Sequence, residues 1–339
     1  MKKFGQFTLN LKFLRIPILL CLFLSLILFS TSISQSIPPI RIGRSFRALL
    51  LSSGTAIKTP FLIFIPGIWG RATSGKETAT VHSEIAPVPP APPAKTLSSE
   101  VKLSNSTSHK IDIRNYLGEA PPFLKGNLSV LIVHTHTTES YTPSEKYNYT
   151  PTDTDRTLDK KYNMVRIGEE VSAILRKRGI KVYHDTTIND YPSYNGSYNR
   201  SSMRVSDFIS GEPSIRIVLD IHRDAIEGAG GEKITHNFTF DGKRAASVML
   251  VAGSNLSGLE HKNWKENLRF AATLQKHAEE MHPGMMRPIN FRSQRFNQHL
   301  APGAIIVEIG TNGNTLEEAL LGAGCFADAL ADYIIKYSN

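Results

Sequence analysis

Beyond residue 112 the chain alternates short apolar runs with stretches of helical period. Ser129–His136 (SVLIVHTH) opens as an uninterrupted apolar run of strand length, and Met164, Ile167, Val171 and Ile174 then recur on one face at 3.6-residue spacing, predicting a helix closed by Gly179. Ile180–Asp185 (IKVYHD) and Ser214–His222 (SIRIVLDIH) predict two further strands. In HNFTFDGKRAASVMLVAG, alternating runs flank Asp241-Gly242, the pairing of a two-residue hairpin turn. Trp264–Met281 reads as a helix, Ala304–Gly310 (AIIVEIG) as a strand, and Thr315–Tyr337 as a closing helix. Strands interleaved with helices in this order predict an α/β domain over 113–339, with a mostly parallel sheet flanked by helices.

The first third of the chain follows another pattern. Ile16–Ile33 is an uncharged stretch of eighteen residues preceded by Lys2, Lys3, Lys12 and Arg15, long enough to cross a bilayer and read as an N-terminal transmembrane anchor within residues 1–36. A cleavable signal peptide shares these features. Residues 37–112 form a juxtamembrane segment and spacer. Phe61–Trp69 (FLIFIPGIW) is too short and too broken by Pro and Gly to span. Thr73–Lys110, with PVPPAPPAK at its centre, has the composition of an extended linker.

Charge supports this division. Of 339 residues, 39 are Lys or Arg and 30 are Asp or Glu; the first 80 contain ten basic residues against Glu77 alone, which is the whole excess of nine. The remaining 259 residues balance at 29 each. A nucleic-acid binder would carry its basic patch on the folded domain, whereas here it flanks the apolar stretch. With only Cys21 and Cys325, the chain has no intramolecular disulfide framework and no cysteine-based zinc site.

Ligands of open α/β sheets bind at the carboxyl ends of the strands, and three predicted strands end in chemically competent side chains. They run into His134-Thr135-His136-Thr137-Thr138-Glu139, Asp220-Ile221-His222-Arg223-Asp224 and Val307-Glu308-Ile309-Gly310. Two imidazoles and a carboxylate with one open position make a catalytic zinc sphere, and a further glutamate can act as base. His136 and Glu139, one turn apart, with a distant His222 fit that sphere and leave Glu308 as the base. His134 would share a side with His136 in an extended stretch, as an alternative ligand or a supporting partner. Asp220 is a candidate orienter of His222 or a cap for a neighbouring loop. A His-x-x-Glu pair alone arises often by chance; its combination with two further strand ends carries the argument. Asn163 and the tyrosines of YPSYNGSYN (Tyr191, Tyr194, Tyr198) are candidates for stacking on or bonding to a glycan or peptide, or simply a polar loop.

The phrases LIVHTHTTESYTP, YNMVRIGEEV, VLDIHRDA and VEIGTNGNTLEEA, in order from about Tyr116 to the C-terminus, resemble the stage II sporulation protein P family. Its domain is similar to the zinc-dependent N-acetylmuramoyl-L-alanine amidases of bacterial cell walls, although their Asp-Pro-Gly-His opening is replaced here by HTHTTE. The resemblance implies an amidase-like or zinc-carboxypeptidase-like fold behind a membrane anchor, and a peptidoglycan hydrolase that cuts the muramyl–L-alanine amide, and also peptide cross-links, at the sporulation septum during engulfment. It implies a wall-facing domain and stage II sporulation proteins D and M as partners. On this reading His136, Glu139 and His222 hold Zn²⁺, Glu308 moves the proton, and Arg223 stabilises the oxyanion or holds a stem-peptide carboxylate, unless it is an exposed partner of Asp224. A zinc carboxypeptidase and a catalytically inactive wall-binding module are the alternatives.

Overall fold

In the computed structural model, which describes residues 100–338, the sheet is built from nearly every strand the apolar runs predict. The elements are β1 (Leu103–Asn105), β2 (Ser129–Val133), α1 (Met164–Lys177), β3 (Lys181–His184), α2 (Ser197–Gly211), β4 (Ile215–Asp224), β5 (Asn237–Phe240), β6 (Lys243–Ala246), β7 (Val248–Gly253), α3 (Trp264–Met281), β8 (Ile289–Arg292), β9 (Gly303–Thr311) and α4 (Leu316–Ser338). Seven strands form one sheet in the order β1-β8-β7-β9-β4-β2-β3, and β5-β6 is the hairpin whose turn is Asp241-Gly242. All pairings in the large sheet are parallel except β7 with β9. The sheet is therefore mostly parallel, with helices on both faces, as the sequence predicts.

Alternation along the strands separates those faces. Val130, Ile132, Leu219, Ile221, Leu250 and Val307 point into the main core, closed by α1, α3 and α4. Each fully buried aliphatic side chain there contributes about 1.5–3 kcal/mol. On the opposite face, Leu131, Val133 and Val218 pack against Val205, Phe208 and Ile209 of α2. That helix covers the β2–β4 end of the sheet. Over β9 and β7 the same face carries only a small cluster, Met249, Val251 and Ile306 with Phe296, and this part lies under a cleft.

Three elements depart from the sequence reading. Leu103–Asn105 pairs with Ile289–Phe291, so the sheet recruits a strand from the stretch assigned to the spacer ending at 112. Backbone pairing along β8, rather than apolar content, makes it a strand. The second departure is α2, read as a polar Tyr/Asn loop. Gly196 at φ +83° turns the chain into this helix, whose apolar positions are few. The third, β8, is four residues long and directly follows Pro288. The expected anchor within 1–36, Phe61–Trp69 and the spacer up to residue 99 lie outside the described residues. Among the described residues no helix is long and apolar enough to cross a membrane.

Candidate active site

Parallel pairing of β2, β4 and β9 brings the three strand ends together. His222 on β4 stands directly opposite Glu308 on β9, so both side chains leave the same face of adjacent strands. β2 stops at Val133, and the segment after it turns, with Glu139 N–H donating to the His136 carbonyl at 3.2 Å. This turn swings Glu139 toward β4. His136, Glu139, His222, Arg223 and Glu308 all line one cleft of about 490 Å³, together with Tyr194, Tyr198, Phe296 and Arg292.

The same turn separates the two histidines of HTHTTE. His134 does not share a side with His136, because the extended backbone ends one residue before it. Its Nδ1 lies 3.0 Å from the Ile221 carbonyl oxygen and its Nε2 lies 2.9 Å from His184 Nε2. Burial lowers both imidazoles, to about 4 for His134 and about 3 for His184. The pair packs beneath Gly168 of α1, where a Cβ would overlap His184 Nε2 and come within 2.7 Å of His134 Nε2. His134 is thus a core residue whose neighbour in the helix must be glycine.

Around His222 the donors are close. Glu139 Oε2 is 3.4 Å from His222 Nδ1, and Asp220 Oδ1 is 2.9 Å from His222 Nε2. The Asp220 contact lies off the N–H direction, leaving Nε2 without a directed hydrogen bond. Asp220 caps the neighbouring loop, as one of the two expectations for it has it, accepting from Thr135 N at 2.7 Å and Thr135 Oγ1 at 2.6 Å. Burial works against charge on His222, but the Asp220 and Glu139 carboxylates outweigh it and hold the imidazole well above its ordinary range. Burial also opposes charge on Glu139; its bond to His222 and the Arg223 guanidinium outweigh this and bring the carboxyl down to about 2.

Two donors on one tetrahedral zinc, each at about 2.1 Å, stand about 3.4 Å apart. The Glu139–His222 pair has that spacing, and the donor types suit zinc. His136 lies beside them, its ring 5.2 Å from that of His222 and nearly perpendicular to it. Its own nitrogens are engaged: Nε2 is 3.0 Å from the Tyr194 hydroxyl, and Nδ1 is 3.4 Å from Ser197 Oγ. Accordingly, among the described residues no three His, Cys, Asp or Glu side chains form a closed metal set.

Glu308 is the opposite electrostatic case. Burial is the largest cause and pushes its carboxyl up to about 8; His222 opposes the rise, while Glu139 and Asp224 add to it. Its Oε2 has no hydrogen-bond partner. The group ionises near 4.5 in the unfolded chain, so the stability it contributes is full below that pH and is lost as pH rises through about 8. Glu308→Gln cannot ionise. In chelator, its stability relative to the unchanged protein is expected to increase between pH 5 and pH 8.5, by at most about 4 kcal/mol. Urea midpoints of the two proteins at both pH values measure this, and a pH-independent difference would contradict it.

Arg223 lines the cleft but is not an exposed partner of the Asp224 carboxylate. It is buried, and its guanidinium donates to the carbonyls of Ser140 (2.8 Å), Asp155 (2.9 Å) and Asp224 (3.3 Å). The Asp224 carboxylate pairs with Arg287 instead. Because Arg223 N–H also donates to Glu139 Oε2 at 3.3 Å, the residue braces the loop that carries Glu139. Asn163 is not at the site: it caps α1, accepting from Val165 N–H and donating to the Thr157 carbonyl. Tyr194 stacks on His136 with centroids 4.4 Å apart. Tyr198 also lines the cleft, whereas Tyr191 is exposed outside it.

Sequence reasoning missed Arg156, Asp190, Arg292 and Phe296. Arg156 pairs with Asp190 at 2.6 Å and Glu139 at 3.5 Å, and Asp190 also accepts from Thr138 N at 3.1 Å and Thr138 Oγ1 at 2.7 Å. Both sit in polar loops without periodicity. The signal for Arg292 was a one-in-two polar alternation in INFR, too short to read as a strand.

The model of the family described as stage II sporulation protein P matches residues 77–331. A curated protein of that name from Bacillus subtilis (strain 168) is 28% identical over 255 residues, covering 71% of this chain and 60% of that protein. The match thus spans about three fifths of the relative's own length. Among solved structures, the N-acetylmuramoyl-L-alanine amidase AmiC2 of Nostoc punctiforme is 15% identical with a TM-score of 0.36, covering 63% of this chain and 98% of that one. The N-acetylmuramoyl-L-alanine amidase from Clostridium difficile 630 is 14% identical with a TM-score of 0.38, covering 62% and 97%.

Proposed function

The chain belongs to the stage II sporulation protein P family, and from that premise we propose that it is a zinc-dependent N-acetylmuramoyl-L-alanine amidase that strips stem peptides from septal peptidoglycan during engulfment. The observation that carries this reading is the facing pair on β4 and β9. Glu308, its Oε2 unpartnered, stands opposite His222 at the edge of a cleft where Glu139 and His222 have the spacing of two ligands.

His136, Glu139 and His222 hold the ion, His136 giving up the Tyr194 hydroxyl to do so. When bound, zinc supplies Lewis-acid polarisation of the amide carbonyl and lowers the pKa of water. The rest is done by the chain. Glu308 takes a proton from the attacking water and hands it to the departing nitrogen, a poor leaving group unless protonated. Asp220 keeps His222 oriented, and Arg223 and Arg156 keep Glu139 in place. The Met249–Val251–Ile306 surface excludes water from one side of the bound peptide.

The same reading holds the chain at the cell membrane by the apolar stretch of residues 16–33, with this domain on the wall side, working with stage II sporulation proteins D and M. Sacculi incubated with the full chain are expected to release soluble peptide. Dialysis against a chelator should stop the release and added zinc restore it; release that survives chelation would overturn the zinc-dependent mechanism.

A further inference from the structure

The cleft extends well beyond the reacting groups. Three arginines line it. Arg156 is paired with Asp190 and Glu139, and Arg223 donates to three carbonyls. Arg292, on the exposed end of β8, has no side-chain hydrogen bond or ion pair to any of the described residues, nor does the neighbouring Asn290 amide. Strand alternation puts these two on the same face, since Phe291 between them and Ile289 before them are buried in the main core.

Register locates them relative to the chemistry. Glu308 pairs with Met249 and Ile306 with Val251 across β9 and β7; Val251 then pairs with Asn290 and Gly253 with Arg292 across β7 and β8. From Glu308 to Arg292 is two strand spacings across, about 10 Å, and four residues along, about 13 Å, which puts their backbones about 16 Å apart. An apolar floor of Ile306, Met249, Val251 and Phe296 lies between. The reacting end of the cleft carries Glu139 and Glu308, and its two arginines are engaged with carboxylates or carbonyls. Among the described arginines that line the cleft, the one without a partner therefore stands at the far end.

We propose that Arg292, supported by Asn290, is a carboxylate-binding subsite that selects an acidic peptide lying across the sheet face, its free carboxylate about four to five extended residues from the amide held at Glu308. The inference rests on the amidase reading and names the part of the substrate that this end of the cleft recognises. A guanidinium fork matches a carboxylate in two parallel hydrogen bonds, which a neutral carboxamide cannot reproduce. Because the contact is remote from the breaking bond, it is made equally in the ground and transition states. Its loss should therefore raise KM and spare kcat.

The test uses the full chain with zinc and N-acetylmuramyl pentapeptides in three forms: free acid, amidated on the side-chain carboxyl of the third residue, and amidated at the C-terminus. One amidated form is expected to show a KM about tenfold higher than the free acid at equal kcat, and the form affected identifies which carboxylate is bound. Arg292→Ala should erase the difference by weakening binding of the free acid, and Arg292→Lys should restore part of it. Equal KM values for all three peptides with the unchanged protein, or a preference that persists in Arg292→Ala, would overturn the subsite and leave the amidase reading standing. Failure to cleave any of the three would overturn the amidase reading, and the subsite with it.

Discussion

Glu308→Gln is expected to lower peptide release from sacculi by about 10²- to 10⁴-fold, the range for losing a general acid–base group, while zinc content and binding to sacculi stay unchanged. The expectation follows from position. Glu308 faces His222 across adjacent parallel strands, but its Oε2 has no partner and its carboxyl is pushed up to about 8. A carboxyl that faces His222 and has an unpartnered oxygen is placed to exchange a proton with a water in the cleft. Glutamine keeps the shape and cannot carry the proton. Metal content by atomic absorption and co-sedimentation with sacculi, measured beside turnover, separate the roles. If zinc is lost with activity, Glu308 is a ligand and Glu139 becomes the base.

The second large effect concerns the histidines. His136→Ala and His222→Ala should each reduce zinc affinity by more than the roughly 10- to 100-fold typical of losing a supporting partner. His134→Ala should keep zinc per folded molecule, although it leaves the half-buried His184 without this partner and lowers stability by about 1–3 kcal/mol. The two kinds of loss differ because His134 bonds to Ile221 and His184 under α1, whereas His136 lines the cleft. Competition with a chromophoric chelator measures affinity, and urea unfolding measures stability. Equal zinc loss in His134→Ala and His136→Ala would refute the assignment.

Much of this arrangement was legible in the sequence because buried parallel strands are read as apolar runs, and their ends are where ligands gather. SVLIV, IRIVLDIH and AIIVEIG gave three neighbouring strands, and the one charged residue inside AIIVEIG marked the open side of the sheet. What stayed hidden depends on pairing and on loops. Leu103–Asn105 is a strand only because β8 lies beside it. The helix from Ser197 was masked by its serines and asparagines, although Val205, Phe208 and Ile209 suffice to cover the β2–β4 end. His134 was misplaced because the extended reading was carried to His136, three residues past the end of the strand at Val133. Arg223 looked chemically available from its place after His222, yet three backbone carbonyls take up its guanidinium.

The central claim is which bond is broken, and the sacculus digest tests it most directly when its soluble products are weighed by mass spectrometry. The account predicts free stem peptides beginning with L-alanine and glycan strands left without them. Products that have lost only a terminal D-alanine, or no soluble peptide from a zinc-loaded, folded full chain, would contradict it.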